Sequence, residues 1–77
     1  MKIGDYIEQK NTETIALIIG KLKNGSFKVL AYDWRHRVVQ QTTSGWYPLP
    51  VIIDKKDISN KIIEKINRRI NEINNKR

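Results

Sequence analysis

The sequence contains no cysteine. That absence excludes disulfides, zinc–thiolate centres, iron–sulfur clusters and cysteine nucleophiles together, and leaves a small chain to be held by packing or by a partner. Long apolar runs are missing too. The longest, Ile15 to Ile19, falls far short of the roughly 18 residues that a bilayer span requires, and Met1-Lys2-Ile3-Gly4-Asp5 has no signal-peptide pattern. The expectation is a soluble, cytoplasmic protein with no membrane partner. Histidine occurs once, at His36, and no Gly-rich phosphate loop, HExxH, GxSxG or spaced set of metal ligands is present. The acids Asp5, Glu8, Glu13 and Asp33 stand singly, so no carboxylate pair for acid–base work can be read. A non-enzymatic protein without cofactor or metal is expected, in which Asp5 and Asp33 bond local backbone N–H groups.

What is present is positive charge and isoleucine. The 77 residues carry 15 Lys and Arg against 8 Asp and Glu, a formal net charge of +7. Such a length allows one small domain, which buries only about 60% of its unfolded surface. Ile (13), Lys (10) and Asn (7) dominate, whereas Leu (4) and Ala (2) are scarce. AT-rich codons favour that choice, and viruses and phages are one source of AT-rich genomes. Charge is unevenly placed: residues 1–54 hold seven basic and five acidic residues, and residues 55–77 hold eight and three. The two balances, +2 and +5, divide the chain into a first part (1–54) and a basic C-terminal part (55–77) of one domain.

The first part reads as strands and turns. Residues 3–8 and 14–22 have the β-branched enrichment of strands, with residues 9–13 as a polar loop. Asn24-Gly25 between two apolar runs signals a hairpin with a type I′ turn, which needs positive φ at both central positions. Residues 27–32 form the return strand, Asp33-Trp34 a tight turn and residues 35–43 a fourth strand. Trp46-Tyr47-Pro48-Leu49-Pro50 cannot continue a central ladder, since proline lacks an N–H, so a corner precedes a last strand over 51–53.

Beyond Asp54 the period lengthens. Ile58, Ile62, Ile63, Ile66, Ile70 and Ile73 fall within an arc of about 140° on a 3.6-residue wheel, which predicts an amphipathic helix over 57–75 capped by Asp54 or Asp57.

Five strands at roughly ten-residue spacing and one terminal helix suggest a small closed or partly closed barrel. The opening Ile3-Gly4-Asp5-Tyr6-Ile7, the Ile18-Ile19-Gly20-Lys21 strand end, the Asn24-Gly25 hairpin and the Trp46 to Pro50 corner resemble an SH3-like barrel of the KOW and chromo-related type. A basic barrel with a C-terminal helix is also similar in plan to the small chromatin proteins of thermophilic archaea. The resemblance implies a mainly β fold: a five-stranded SH3-like small barrel over 1–54 plus an amphipathic basic helix over 55–77. It implies nucleic-acid binding by analogy alone.

Cations interleaved with aromatics are the pattern that phosphates and bases require. The candidate nucleic-acid residues are Lys21, Lys23, Lys28, Tyr32, Trp34, Arg35 and Arg37 on the barrel, with Lys61, Lys65, Arg68 and Arg69 as a backbone track along the helix. Strand alternation places Arg35, Arg37 and Val39 on one face, next to a platform of Lys28, Leu30 and Tyr32. Trp34 stands at its rim, while Phe27 and Trp46 are expected in the core. About five neutralised phosphates would give log K a slope near −4 to −5 against log salt on duplex DNA. The plainer reading of the helix shoulder is a solvated face with Glu64–Arg68 and Glu72–Lys76 pairs. The alternative function is a protein-interaction adaptor, of the viral accessory kind, docking on an acidic partner through Trp34, Ile70 and Ile73. Ile63, Ile66, Ile70 and Ile73 also have the spacing of a helix that pairs with a second copy, as in a homodimer.

Overall fold

The computed structural model describes residues 1–10, 12–47 and 50–75. Strands β1 (Tyr6–Gln9), β2 (Thr14–Lys21), β3 (Phe27–Tyr32), β4 (Val38–Thr42) and β5 (Val51–Ile53) precede a 16-residue helix, α1 (Asn60–Asn75). The protein is therefore mainly β with one C-terminal helix. Every paired neighbour is antiparallel, in the order β4-β3-β2-β1-β5. The expected closure into a barrel is not made: among the described residues no ladder joins β4 to β5. The three residues of β5 pair wholly with Glu8 to Tyr6, and a 3₁₀ turn over Thr43–Gly45 carries the chain away directly after β4. The sheet therefore stays open, with β4 and β5 as its edges.

Alternation divides the sheet residues between two faces. Ile7, Ala16, Ile18, Val29 and Ala31 meet across the ladders on one face and are 0–1% exposed. Trp46 covers this cluster, donating through Nε1 to Gln41 Oε1 (3.3 Å), and Phe27 packs against it. Both aromatics lie where the sequence puts them. A register shift between Ile18 and Gly20 inserts one extra residue, the form of a β-bulge that turns consecutive side chains to opposite sides. Ile18 thus enters the core, while Ile19 lines a groove with Leu30 and Ile70 of α1.

Helix α1 lies on that second face. Leu30 and Ile66 are 0% exposed, and Ile58 is buried at the approach to the helix. The helix begins three residues later than its period predicts, and its cap is Ser59: the hydroxyl accepts from Lys61 N (3.3 Å) and the carbonyl from Ile62 N (3.0 Å). Asp54 instead caps the 3₁₀ turn Lys55–Asp57, accepting from Lys56 N at 3.1 Å. Docking also corrects the predicted platform. Lys28, Leu30 and Tyr32 do share a face, but α1 packs on it, burying Leu30 and half-burying Tyr32, and only Lys28 stays exposed.

Three turns differ from the sequence reading. Gly4 has φ +96 and donates its N–H to Ile18 O (2.9 Å), so β1 starts at Tyr6 rather than residue 3. At the β2–β3 hairpin, Gly25 N donates to Leu22 O (3.2 Å) and Leu22 N to Ser26 O (2.8 Å), while only Gly25 of the turn has positive φ. This is a three-residue loop closing on a left-handed residue, not a two-residue type I′ turn. The fourth strand begins at Val38, leaving residues 35–37 in a loop. Of the proline corner, Pro48 and Leu49 lie outside the described residues, as does Lys76 of the predicted Glu72–Lys76 pair.

Candidate nucleic-acid interface

The β3–β4 connection repeats the geometry of the first hairpin. His36 N donates to Asp33 O (3.0 Å), Asp33 N donates to Arg37 O (3.0 Å), and His36 has φ +61. Trp34 and Arg35 thus occupy the tip, and His36 fills the left-handed position that Gly25 takes in the other loop. The Asp33 carboxylate fixes the tip from inside: Oδ1 accepts from Arg35 N (2.9 Å) and Arg37 N (3.1 Å), and Oδ2 lies 3.7 Å from the Arg37 guanidinium. Asp5 acts similarly, accepting from Lys2 N at 2.9 Å. Both aspartates bond local backbone as their sequence setting predicts.

The helix reaches this loop. Lys65 Nζ donates to His36 O (3.3 Å) and stands 5.4 Å from the centre of the Tyr32 ring, a cation–π contact. The Tyr32 hydroxyl shares a 2.6 Å hydrogen bond with His36 Nδ1. Between loop and helix runs an open groove of about 360 Å³, lined by His36, Arg37 and Val38 on one side and by Lys65, Arg68, Arg69 and Glu72 on the other. Residues nearly thirty positions apart thereby bring four cations to one depression with a single acid. Arg68 has no ion-pair partner among the described residues, and the expected Glu64–Arg68 pair is not formed. Arg69 is differently placed. Its Nη1 donates to Glu72 Oε2 (3.1 Å) and its Nε is buried without a hydrogen-bond partner among the described residues. It serves as a wall of the groove more than as a free cation.

Trp34 is 79% exposed, with the Arg35 guanidinium 4.8 Å from the ring centre. The stacked arginine takes one face of the indole and leaves the other to solvent.

The predicted set divides in two. Trp34, Arg35, Arg37, Lys65, Arg68 and Arg69 gather around the loop and groove, with exposed Lys61 one helical turn before Lys65. Tyr32 joins them as a support, because Lys65 stands over its ring and its hydroxyl is bonded to His36. Lys21 and Lys23 flank the other hairpin, and Lys28 pairs with Thr42 at the far end of β3. Those three take no part in the groove. Of the alternative interface, Ile70 and Ile73 line a second groove with Ile19 and Leu30, and of these two only Ile73 is exposed (38%). Trp34 belongs to neither groove and has an arginine beside it, so the three residues form no single apolar patch.

The candidate residues read from the sequence do not include the groove residues His36, Val38 and Glu72. Glu72 lies four residues after Arg68 on the same shoulder, a signal that was available. The left-handed turn position of His36 depends on loop register, which residue identity does not carry. Among the described residues no cluster of three His, Asp or Glu side chains gathers to hold a metal, and no helix is long and apolar enough to cross a membrane. No family model matches the chain, and searches of curated proteins and of solved structures find no similar one.

Proposed function

We propose that this chain is a small basic, non-enzymatic module that binds nucleic acid through phosphates, with little sequence specificity. The observation that carries the reading is the convergence of the Arg37 loop and the Lys65–Arg68 shoulder on one groove. Phosphates call for clustered cations and bases for flat side chains, and the groove and Trp34 supply one of each. The meander order β4-β3-β2-β1-β5 with a terminal helix supports an SH3-like plan for the module. That plan adds nothing about function by itself.

Three cations in the groove, Arg37, Lys65 and Arg68, set the expected salt dependence. With each neutralising one phosphate, log K falls against log salt at a slope of about −2 on single strands and about −3 on duplex. The slope is shallower than a count of all candidate cations gives, because Lys21, Lys23 and Lys28 lie elsewhere. Binding of labelled oligonucleotides over a salt series is the test, with Arg37→Gln/Arg68→Gln expected to flatten the slope by about two-thirds. Affinity that is weak at low salt and flat with salt overturns the proposal.

One observation favours a second reading, a protein partner. The β5 edge exposes Val51 and Ile52, 49% and 54% accessible, and an open strand edge can accept another strand. Retention of one protein after nuclease treatment, lost on Ile52→Lys and kept on Arg68→Gln, would replace the first reading with this one.

A further inference from the structure

Resting on the nucleic-acid reading, we infer that the groove takes a single-stranded polynucleotide, with an unpaired base on the free face of Trp34 and the adjoining phosphates against Arg37, Lys65 and Arg68. The first argument is the indole. In a duplex the flat faces of the bases are stacked on one another, so a lone exposed ring at a loop tip finds a partner only on an unstacked base. Side chains that wedge into duplex steps are apolar and act with DNA bending. Trp34 instead has the Arg35 guanidinium stacked on one face.

The helix supplies the second argument. To read a duplex, α1 would have to lie in the major groove, which requires a cationic outer face. Its apolar face is docked on the sheet through Ile66, at 0% exposure. On a 3.6-residue wheel the face opposite Ile66 holds Glu64 beside Arg68, and Asn60, Asn67 and Asn71 continue it away from the other cations. The basic shoulder is turned sideways to the β3–β4 loop, where Lys65 bonds His36 O. A duplex laid on the outer face would meet Glu64 and the asparagines with Arg68 as its main cation, whereas a single strand entering from the side meets Arg37, Lys65 and Arg68 together.

Rigidity is the third. Asp33 holds the tip through two backbone N–H groups, and Tyr32 and Lys65 hold His36. Trp34 and His36 are two residues apart, within about 7 Å from Cα to Cα, so the stacking face and the groove keep a fixed short separation. One base and its own phosphates fit that spacing without the loop having to reorganise, which limits the ordering cost of binding.

Fluorescence anisotropy on the full chain with oligo(dT), oligo(rU) and a mixed-sequence duplex tests the inference, alongside tryptophan emission. Either single strand is expected to bind at least about tenfold more tightly than duplex at low salt and to quench Trp34, while buried Trp46 keeps its emission. Tighter binding of oligo(rU) assigns RNA, and tighter binding of oligo(dT) assigns DNA. Trp34→Ala is expected to weaken the single-strand complex about tenfold, and Trp34→Phe, which keeps a stacking face, to hold within about threefold. Circular dichroism of both variants checks the fold. Duplex bound as tightly as single strands, or affinity unchanged in Trp34→Ala, overturns this inference and leaves nucleic-acid binding standing. No binding of any of the three oligonucleotides removes both.

Discussion

His36 occupies a backbone position at which the companion hairpin uses glycine, and the comparison gives it a measurable cost. At φ +61 the Cβ crowds the following carbonyl, which costs roughly 1–2 kcal/mol for an L-residue, least for Asn, Asp and His and most for β-branched residues. The bond to Tyr32 and the carbonyl contact from Lys65 offset part of it. Replacing His36 by Gly relieves the strain and removes one exposed hydrogen bond, so stability is expected to stay within about 0.5 kcal/mol. His36→Val adds a β-branch at the same φ and is expected to cost about 1–2 kcal/mol. Urea denaturation of the two variants gives the comparison, and equal stabilities would show that the loop relaxes without strain. Nothing in the order Asp33-Trp34-Arg35-His36-Arg37 announces this position. Both Asn24-Gly25 and Asp33-Trp34 signal turns, but whether a loop has two residues or three depends on how the flanking strands pair, which is settled across the ladder.

At the level of the element, α1 shows which signals survive folding. Its isoleucine arc was legible because amphipathic period is a local property, and the arc does pack on the sheet through Ile66 and Ile70. The strands were legible for the same reason, and β3 and β5 have the bounds their composition predicts. What the sequence could not carry was the face of the sheet that the helix would choose. Lys28, Leu30 and Tyr32 alternate like an open platform, and only the docking of a third element buries its centre. Arg69 was read with the basic shoulder, and on the wheel it is the shoulder residue next to the isoleucine arc, about 20° from Ile62. Its half-buried guanidinium follows from that placement. If Ile66 anchors the helix, Ile66→Ala costs about 2–5 kcal/mol and Ile66→Val about 0.5–1.5, because each leaves a cavity beneath a fully buried side chain. Ile73→Ala, at a 38% exposed position, is expected to cost less than about 1 kcal/mol. Denaturation midpoints order the three, and a larger loss at Ile73 than at Ile66 would mean that the exposed end of the helix is held by a second copy.

For the whole molecule, part of the net charge of +7 is gathered in one groove, where like charges oppose folding. The groove collects Arg37, Lys65 and Arg68 with Glu72 as its one acid, and Glu72 is already paired with Arg69. The molecule's few ion pairs offset little of this, since the described ones lie at surface or half-exposed positions, where such pairs contribute about 0–1 kcal/mol. Two unit charges 10 Å apart in water repel by about 0.4 kcal/mol, so three mutual pairs oppose folding by about 1 kcal/mol at low ionic strength. Salt screens that repulsion within a Debye length of about 10 Å at 0.1 M. The free protein is therefore expected to gain about 1 kcal/mol when salt is raised from low to moderate concentration, or roughly 4–8 °C in Tm for a domain of this size. Arg37→Gln/Arg68→Gln removes the repulsion directly: it should melt higher than the native sequence at low salt and lose most of the salt response. A thermal melt series over ionic strength checks both expectations. If salt lowers the Tm of the native sequence, the groove cations are held by favourable pairs, and their clustering is structural and does not mark a site kept open for a polyanion.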